Sequence, residues 1–286
     1  MKQKRYIAYF GVGISLVTIF FIISALSSSG DGTLRVSFLR AGEGRAIFVH
    51  TPSGASILID GGKDSETLRA LAKELGPLQR TISMIIETNT EASNSGGIYE
   101  VLDRYQVGAL VTAGMPNKSV GSRLVARIAG KIKYMVHFEA SRGTRILFPK
   151  GTQIDVLFPD RDVSGTNADT GSLVLRITYG DTSFLLPSDA PVGVQRWLTK
   201  LDASTTLASN VLSIGHFGAE KSLDKKWLQA VHPQFVVISA GENSYGYPDV
   251  GTVKDARAEG ARVFTTASST ITFVSDGIHV RVLNTQ

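Results

Sequence analysis

Few side chains in this sequence could do chemistry. The 286-residue chain has no cysteine and five histidines, at positions 50, 137, 216, 232 and 279. Without cysteine there is no disulfide, thiolate zinc site, iron–sulfur cluster or Cys nucleophile. Five imidazoles are also few for a dinuclear zinc centre, which draws most of its ligands from histidine. No Gly-x-Ser-x-Gly turn presents a serine nucleophile. Gly42-x-Gly44 and Gly11-x-Gly13 lack the remaining glycines of a dinucleotide-binding turn. Arg123, Arg127 and Lys131 fall at i, i+4 and i+8 of a predicted helix and could contact phosphates. The other reading of that stripe is a solvated helix face.

The elements that must position these residues are legible as hydrophobic periodicity. Leu34–Leu39 alternates as a strand. Ala46–Val49 and Ser56–Ile59 are apolar runs joined by Thr51-Pro-Ser-Gly54, the pattern of a β-hairpin. Ser65–Leu75 has helical spacing, with Ser65 as the expected N-cap and Gly76 as the stop. Ile82–Ile86 is a continuous apolar run, as in a strand buried on both faces. A helix is expected from Gly96 onward, then a strand at Ala109–Thr112 and a helix at Val120–Ala129. In the second half strands are expected at 154–158, 172–179, 182–187, 211–214, 235–239, 270–275 and 278–283. Helices are expected at 192–201, 222–231 and 250–259. No linker or charge block interrupts 34–286, so one layered α/β domain of about 250 residues is expected.

Ahead of that domain, the 21 residues Tyr6–Leu26 carry no charge. As a helix they would span roughly 30 Å, one hydrocarbon core. Lys2, Lys4 and Arg5 precede them and a Ser/Gly linker, 27–33, follows. The positive-inside bias then puts residues 1–5 in the cytoplasm and the domain outside. A signal peptide cleaved near Ala25 or Ser27 is the competing reading, but its apolar region is ordinarily only about 7–15 residues long. The chain has 30 basic and 25 acidic residues, a net charge of +5. Three of those positive charges flank the anchor, so residues 6–286 carry +2, too little for bulk charge to imply a nucleic-acid partner.

The segment Leu34–Gly62, LRVSFLRAGEGRAIFVHTPSGASILIDGG, resembles the opening of the metallo-β-lactamase-fold domain at the C-terminus of the competence protein family ComEC. Gly96-Gly97-Ile98 with VGALVTAG, Ser172–Ala190 and Ser209–Gly241 continue the resemblance, in order, over roughly residues 34–282. It implies a four-layer αββα sandwich with a metal site at one sheet edge. In such hydrolases the metal acidifies a bound water and polarises the scissile bond.

Against the family's metal-binding loop, Asn89 and Asn94 stand in place of the two histidines. Glu91 stands at the second ligand position, and Ser93 in place of the aspartate. Downstream, Asp189 matches the metal-bridging aspartate and His216 matches the first histidine of a Gly-His-His-Gly motif. Phe217 replaces the second of those histidines, and Tyr247 stands where a histidine is frequent. Asp60 matches a site-supporting aspartate. The residual metal candidates are thus Asp189, His216 and Glu91. Each also has an ordinary reading: Asp189 as a cap for a helix starting near Pro191, His216 as a satisfied loop histidine, Glu91 as a solvated carboxylate, and Asn89 and Asn94 as turn formers.

The expectation from this pattern is a membrane-anchored, catalytically degenerate relative that acts as a binding or scaffold module and holds no cofactor. Single-stranded DNA or a separate membrane channel protein would be its partner in DNA uptake. The alternative is a hydrolase, a nuclease or phosphodiesterase, with Mn²⁺, Mg²⁺ or Zn²⁺ weakly held by an oxygen-rich site.

Overall fold

The structure is a computed structural model that describes residues 18–19 and 32–283, apart from 203 and 242. The anchor expected over 6–26 therefore lies outside the described residues, except for Thr18–Ile19. Those two form a short strand, β1, paired in parallel with Arg145–Ile146. Among the described residues no helix is long and apolar enough to cross a membrane.

From Leu34 the chain builds two sheets. The first half contributes β2 (Leu34–Phe38), β3 (Ile47–His50), β4 (Ser56–Ile59), α1 (Glu66–Leu75) and β5 (Thr81–Glu87). It continues with α2 (Ala92–Ser95), α3 (Ile98–Arg104), β6 (Gln106–Thr112), α4 (Val120–Ala129) and β7 (Val136–Glu139). The second half adds β8 (Arg145–Leu147), β9 (Thr152–Phe158), β10 (Val174–Tyr179), β11 (Thr182–Leu186) and α5 (Val192–Leu201). After these come α6 (Ser204–Leu207), β12 (Val211–Ile214), α7 (Lys225–Val231), β13 (Phe235–Ile238) and α8 (Val250–Ala258), then β14 (Arg262–Thr265), β15 (Ile271–Ser275) and β16 (Val280–Val282).

One sheet runs β16-β15-β2-β3-β4-β5-β6-β7 and the other β1-β8-β9-β10-β11-β12-β13-β14. Alternate residues of facing strands fill the space between the sheets. Val36, Phe38, Val49, Ile57 and Ile86 from one side meet Leu175, Phe184, Leu186 and Val237 from the other. The opposite strand faces bury Phe48, Leu58 and Ile85 under α1, α3 and α4, and Leu185, Leu212 and Val236 under α5 and α7. Being covered on both faces is why β13 reads as an unbroken apolar run, and β5 and β12 as apolar runs interrupted only by Ser83 and Ser213 between their first and last apolar residues. The result is the expected αββα sandwich.

Local chemistry sets the edges of the elements. The β3–β4 hairpin pairs Ile47 with Ile59 and His50 with Ser56, and Gly54 takes the left-handed turn conformation, φ 87°. α1 starts one residue after Ser65, but the Ser65 side chain makes no capping bond; the Asp64 carboxylate accepts the Glu66 N–H instead. α4 ends at Ala129, so Lys131 lies past Gly130, beyond the helix that carries Arg123 and Arg127.

Candidate functional site

The loops that follow β4, β5, β11 and β12 meet at one edge of the sandwich. Each lies at the C-terminal end of a strand in a parallel pair, β4 with β5 and β11 with β12, where open α/β sheets gather their functional side chains. Asp60 leaves β4 with φ 60°, and Thr88–Asn94 follows β5. Ser188 and Asp189 follow β11, and His216 follows β12. The Asp60–Gly61–Gly62 turn packs directly on the α2–α3 junction: the Gly97 N–H donates to Gly62 O at 3.2 Å, and a Cβ on Gly96 would strike the Lys63 carbonyl. Only glycine permits that approach, which brings the Asp60 turn against the loop after β5.

At the centre of this edge stands Arg45, from the loop before β3. It is 4% exposed. Its Nε and Nη2 donate to Asp60 Oδ2 at 3.0 and 2.9 Å, its Nη2 to Ser188 Oγ at 2.6 Å, and its Nη1 to Asp189 Oδ1 at 3.2 Å. Thr88 completes the group: its backbone N–H and hydroxyl reach Asp60 Oδ1 at 2.8 and 2.9 Å, and its Oγ1 lies 2.6 Å from Ser188 Oγ. Asp189 also receives the His216 backbone N–H at 2.8 Å, Asn94 Nδ2 at 2.7 Å and Asn89 Nδ2 at 3.3 Å.

These contacts fix the charges. Burial alone would raise the Asp189 carboxyl. Arg45, the neighbouring His216 and the Asn94 amide outweigh it, and hold the group at about 2. Burial raises the Asp60 carboxyl against the opposing pull of Arg45 and the Thr88 hydrogen bonds; the donors it collects are those of an acceptor-only carboxylate. Burial works against the Arg45 guanidinium too, yet the two aspartates raise it above its ordinary value, so it stays charged. Glu87, at the end of β5, differs. It is 2% exposed, its Oε1 has no hydrogen-bond partner, and burial together with the nearby Asp60 pushes it up to about 8.

The structure brings together Asp60, Asn89, Asn94, Asp189 and the His216 backbone, but does not bring in the other residues singled out from the sequence. Glu91 is exposed at the start of α2. Ser93 contributes its carbonyl, which accepts the Arg45 N–H at 3.0 Å. Phe217 packs on the core under α5 and α7, and Tyr247 stacks on Tyr245 with ring centroids 5.9 Å apart. Asp189 does not cap α5; Pro191 holds that position, and the carboxylate is engaged by Arg45, Asn94 and His216. Four residues at this edge had no signal in the sequence that pointed to them: Arg45, Thr88, Ser188 and Glu87. Asp169, half-buried and close enough to His216 for its carboxyl to be affected, is a fifth.

The donor set does not fit a metal ion. A carboxylate ligand must offer a free lone pair, and both Asp189 oxygens face N–H donors. Asn89 and Asn94 present NH₂ groups to it, because a carboxylate can only accept. Among the described residues no group of three or more His, Asp or Glu is placed to hold a metal.

Two helix-covered sheets with a loop-built centre at one edge define the metallo-β-lactamase fold, and solved structures agree. YhfI, a metallo-β-lactamase-fold protein from Bacillus subtilis, superposes with a TM-score of 0.56 at 11% identity, over 84% of this chain and 99% of its own. Igni18, a metallo hydrolase from Ignicoccus hospitalis, gives 0.54 at 14% identity, over 84% of this chain and 98% of its own. Within that fold the chain is a ComEC-like domain. It is 23% identical over 275 residues to ComE operon protein 3 of Bacillus subtilis, covering 90% of this chain and 34% of that protein. It is 23% identical over 229 residues to competence protein ComA of Neisseria gonorrhoeae, covering 79% and 30%. The chain thus spans about a third of the length of these curated relatives. No family model matches it.

Proposed function

We propose that this chain is a membrane-tethered, catalytically degenerate ComEC-like module that binds or scaffolds rather than cleaves. In this reading Tyr6–Leu26 holds it in the cell membrane with the domain outside the cytoplasm, and its work belongs to DNA uptake alongside a separate channel protein. The observation that carries the proposal is the state of Asp189. The residue that matches the metal-bridging aspartate has its lone pairs committed to Arg45, Asn94, Asn89 and the His216 N–H. A carboxylate so engaged cannot also orient a metal-bound water.

The test is metal content and nuclease turnover of the full chain, purified with Mn²⁺ or Zn²⁺ present. The expected result is trace metal and no turnover. Stoichiometric metal with turnover abolished by His216→Ala would overturn the proposal in favour of a hydrolase built on Asp189, His216 and Glu91. The same preparation tests DNA as the partner. Affinity for single-stranded DNA should fall with salt, and replacing Arg123, Arg127 and Lys131 by Ser should reduce the log–log salt slope by about 0.7 for each phosphate these side chains neutralise.

A further inference from the structure

Arg45 belongs to neither expected reading of the site. A buried arginine with no role would be expelled to solvent, because an unpaired buried charge is among the costliest features a fold can carry. Here the whole neighbourhood is arranged around it. Its backbone N–H is held by Ser93 O at 3.0 Å, and its carbonyl accepts the Gly62 N–H at 2.8 Å. The residue is therefore clamped between the loop after β5 and the turn after β4. Its side chain then reaches two carboxylates from different sheets, Asp60 on one and Asp189 on the other, with Ser188 between them. The planar fork of a guanidinium suits this role, because its N–H groups diverge in one plane and one side chain can meet acceptors on opposite sides.

Of the three carboxylates that the ComEC resemblance places at or beside the metal centre, Arg45 pairs with two, the supporting Asp60 and the bridging Asp189, while Glu91 stays exposed. We infer that Arg45 is the resident cation of this centre: its guanidinium takes the place of the metal, ties the two sheets together, and makes folding independent of divalent ions. The inference deepens the reading of the chain as a degenerate module and rests on it. Arg45 neutralises one of two buried negative charges and occupies the space between them, so a second cation meets both a filled position and a like charge. The centre is then a closed ion-pair junction, and removing Arg45 should uncover a latent divalent-cation site between Asp60 and Asp189.

The experiment compares the wild-type full chain with Arg45→Ala and Arg45→Lys. Thermal unfolding is followed in EDTA and in MnCl₂ or ZnCl₂, and bound metal is measured by elemental analysis. Wild-type Tm should be the same in all three solutions. Arg45→Ala should melt roughly 10 °C lower in EDTA, regain part of that in Mn²⁺ or Zn²⁺, and carry about one equivalent of metal in place of traces. Arg45→Lys keeps the charge without the fork, and should melt between the two and take up no metal. Adding Asp189→Asn to Arg45→Ala should abolish the metal uptake. If Arg45→Ala folds but binds no more metal than wild type, the inference is wrong. Should that variant not fold even with metal, the neutral set Arg45→Met, Asp60→Asn and Asp189→Asn decides. Folding without metal supports Arg45 as charge compensation, and failure to fold overturns it. Metal-dependent nuclease turnover by the wild type would instead refute the degenerate-module reading itself, so the two failures are distinguishable.

Discussion

Glu87→Gln is the sharpest probe of the electrostatics at this edge. In the unfolded chain the Glu87 carboxyl ionises at its ordinary value, 4.5, whereas in the folded protein burial and the charge on Asp60 hold the proton until about 8. Between those values folding takes up a proton. Stability therefore falls as pH rises through this window, by about 1.4 kcal/mol per pH unit from this group. At pH 7 the loss, relative to pH below 4.5, is on the order of 3 kcal/mol, and above pH 8 it levels off at about 5 kcal/mol. Glutamine has the shape of the protonated acid and no charge to desolvate. The variant should match wild type near pH 4.5 and exceed it progressively towards pH 9. Urea unfolding of both proteins at unit steps from pH 5 to 9 measures this directly, because other titrating groups cancel in the difference. Parallel stability curves for the two proteins, or a Glu87→Gln chain less stable than wild type at pH 8, would refute the account.

Two further predictions concern the acid limb and the core. Asp189 is held at about 2, below its ordinary 3.8. Its contribution, about 2 kcal/mol, is present above pH 3.8 and is lost as pH falls from 3.8 through about 2; the acid limb of the urea midpoint should be correspondingly shallower in Asp189→Asn than in wild type. Phe273 is fully buried between the sheets and meets Phe38, Phe184, Phe235 and Phe264 with ring centroids 5.9, 6.2, 5.4 and 6.0 Å away. Phe273→Ala should cost about 3–5 kcal/mol, read as a drop in urea midpoint with an unchanged slope; a loss under about 1 kcal/mol would show that the sheets close over the gap.

Much of the scaffold follows from local chemistry, which is why it was legible in the sequence. The apolar stripe of α4 and the largely apolar runs of β5 and β12 depend on periodicity and burial alone, and α4, α5 and β12 fall on their expected residues. The edge strand β7 and the three-residue β8 were not expected, since β7 is largely exposed and needs only one neighbour. That positions 89, 94 and 217 carry no imidazole was equally plain, because residue types need no coordinates. What stands at the centre was not. Arg45 lies in a glycine-rich loop and reads as a solvated cation, just as Asp189 reads as a helix cap and Glu87 as the polar end of a strand. Arg45 is 15 residues from Asp60 and 144 from Asp189 along the chain. Only the closing of the two sheets makes these three one group, and the burial that follows turns ordinary surface charges into a paired junction whose titration is far from its ordinary range.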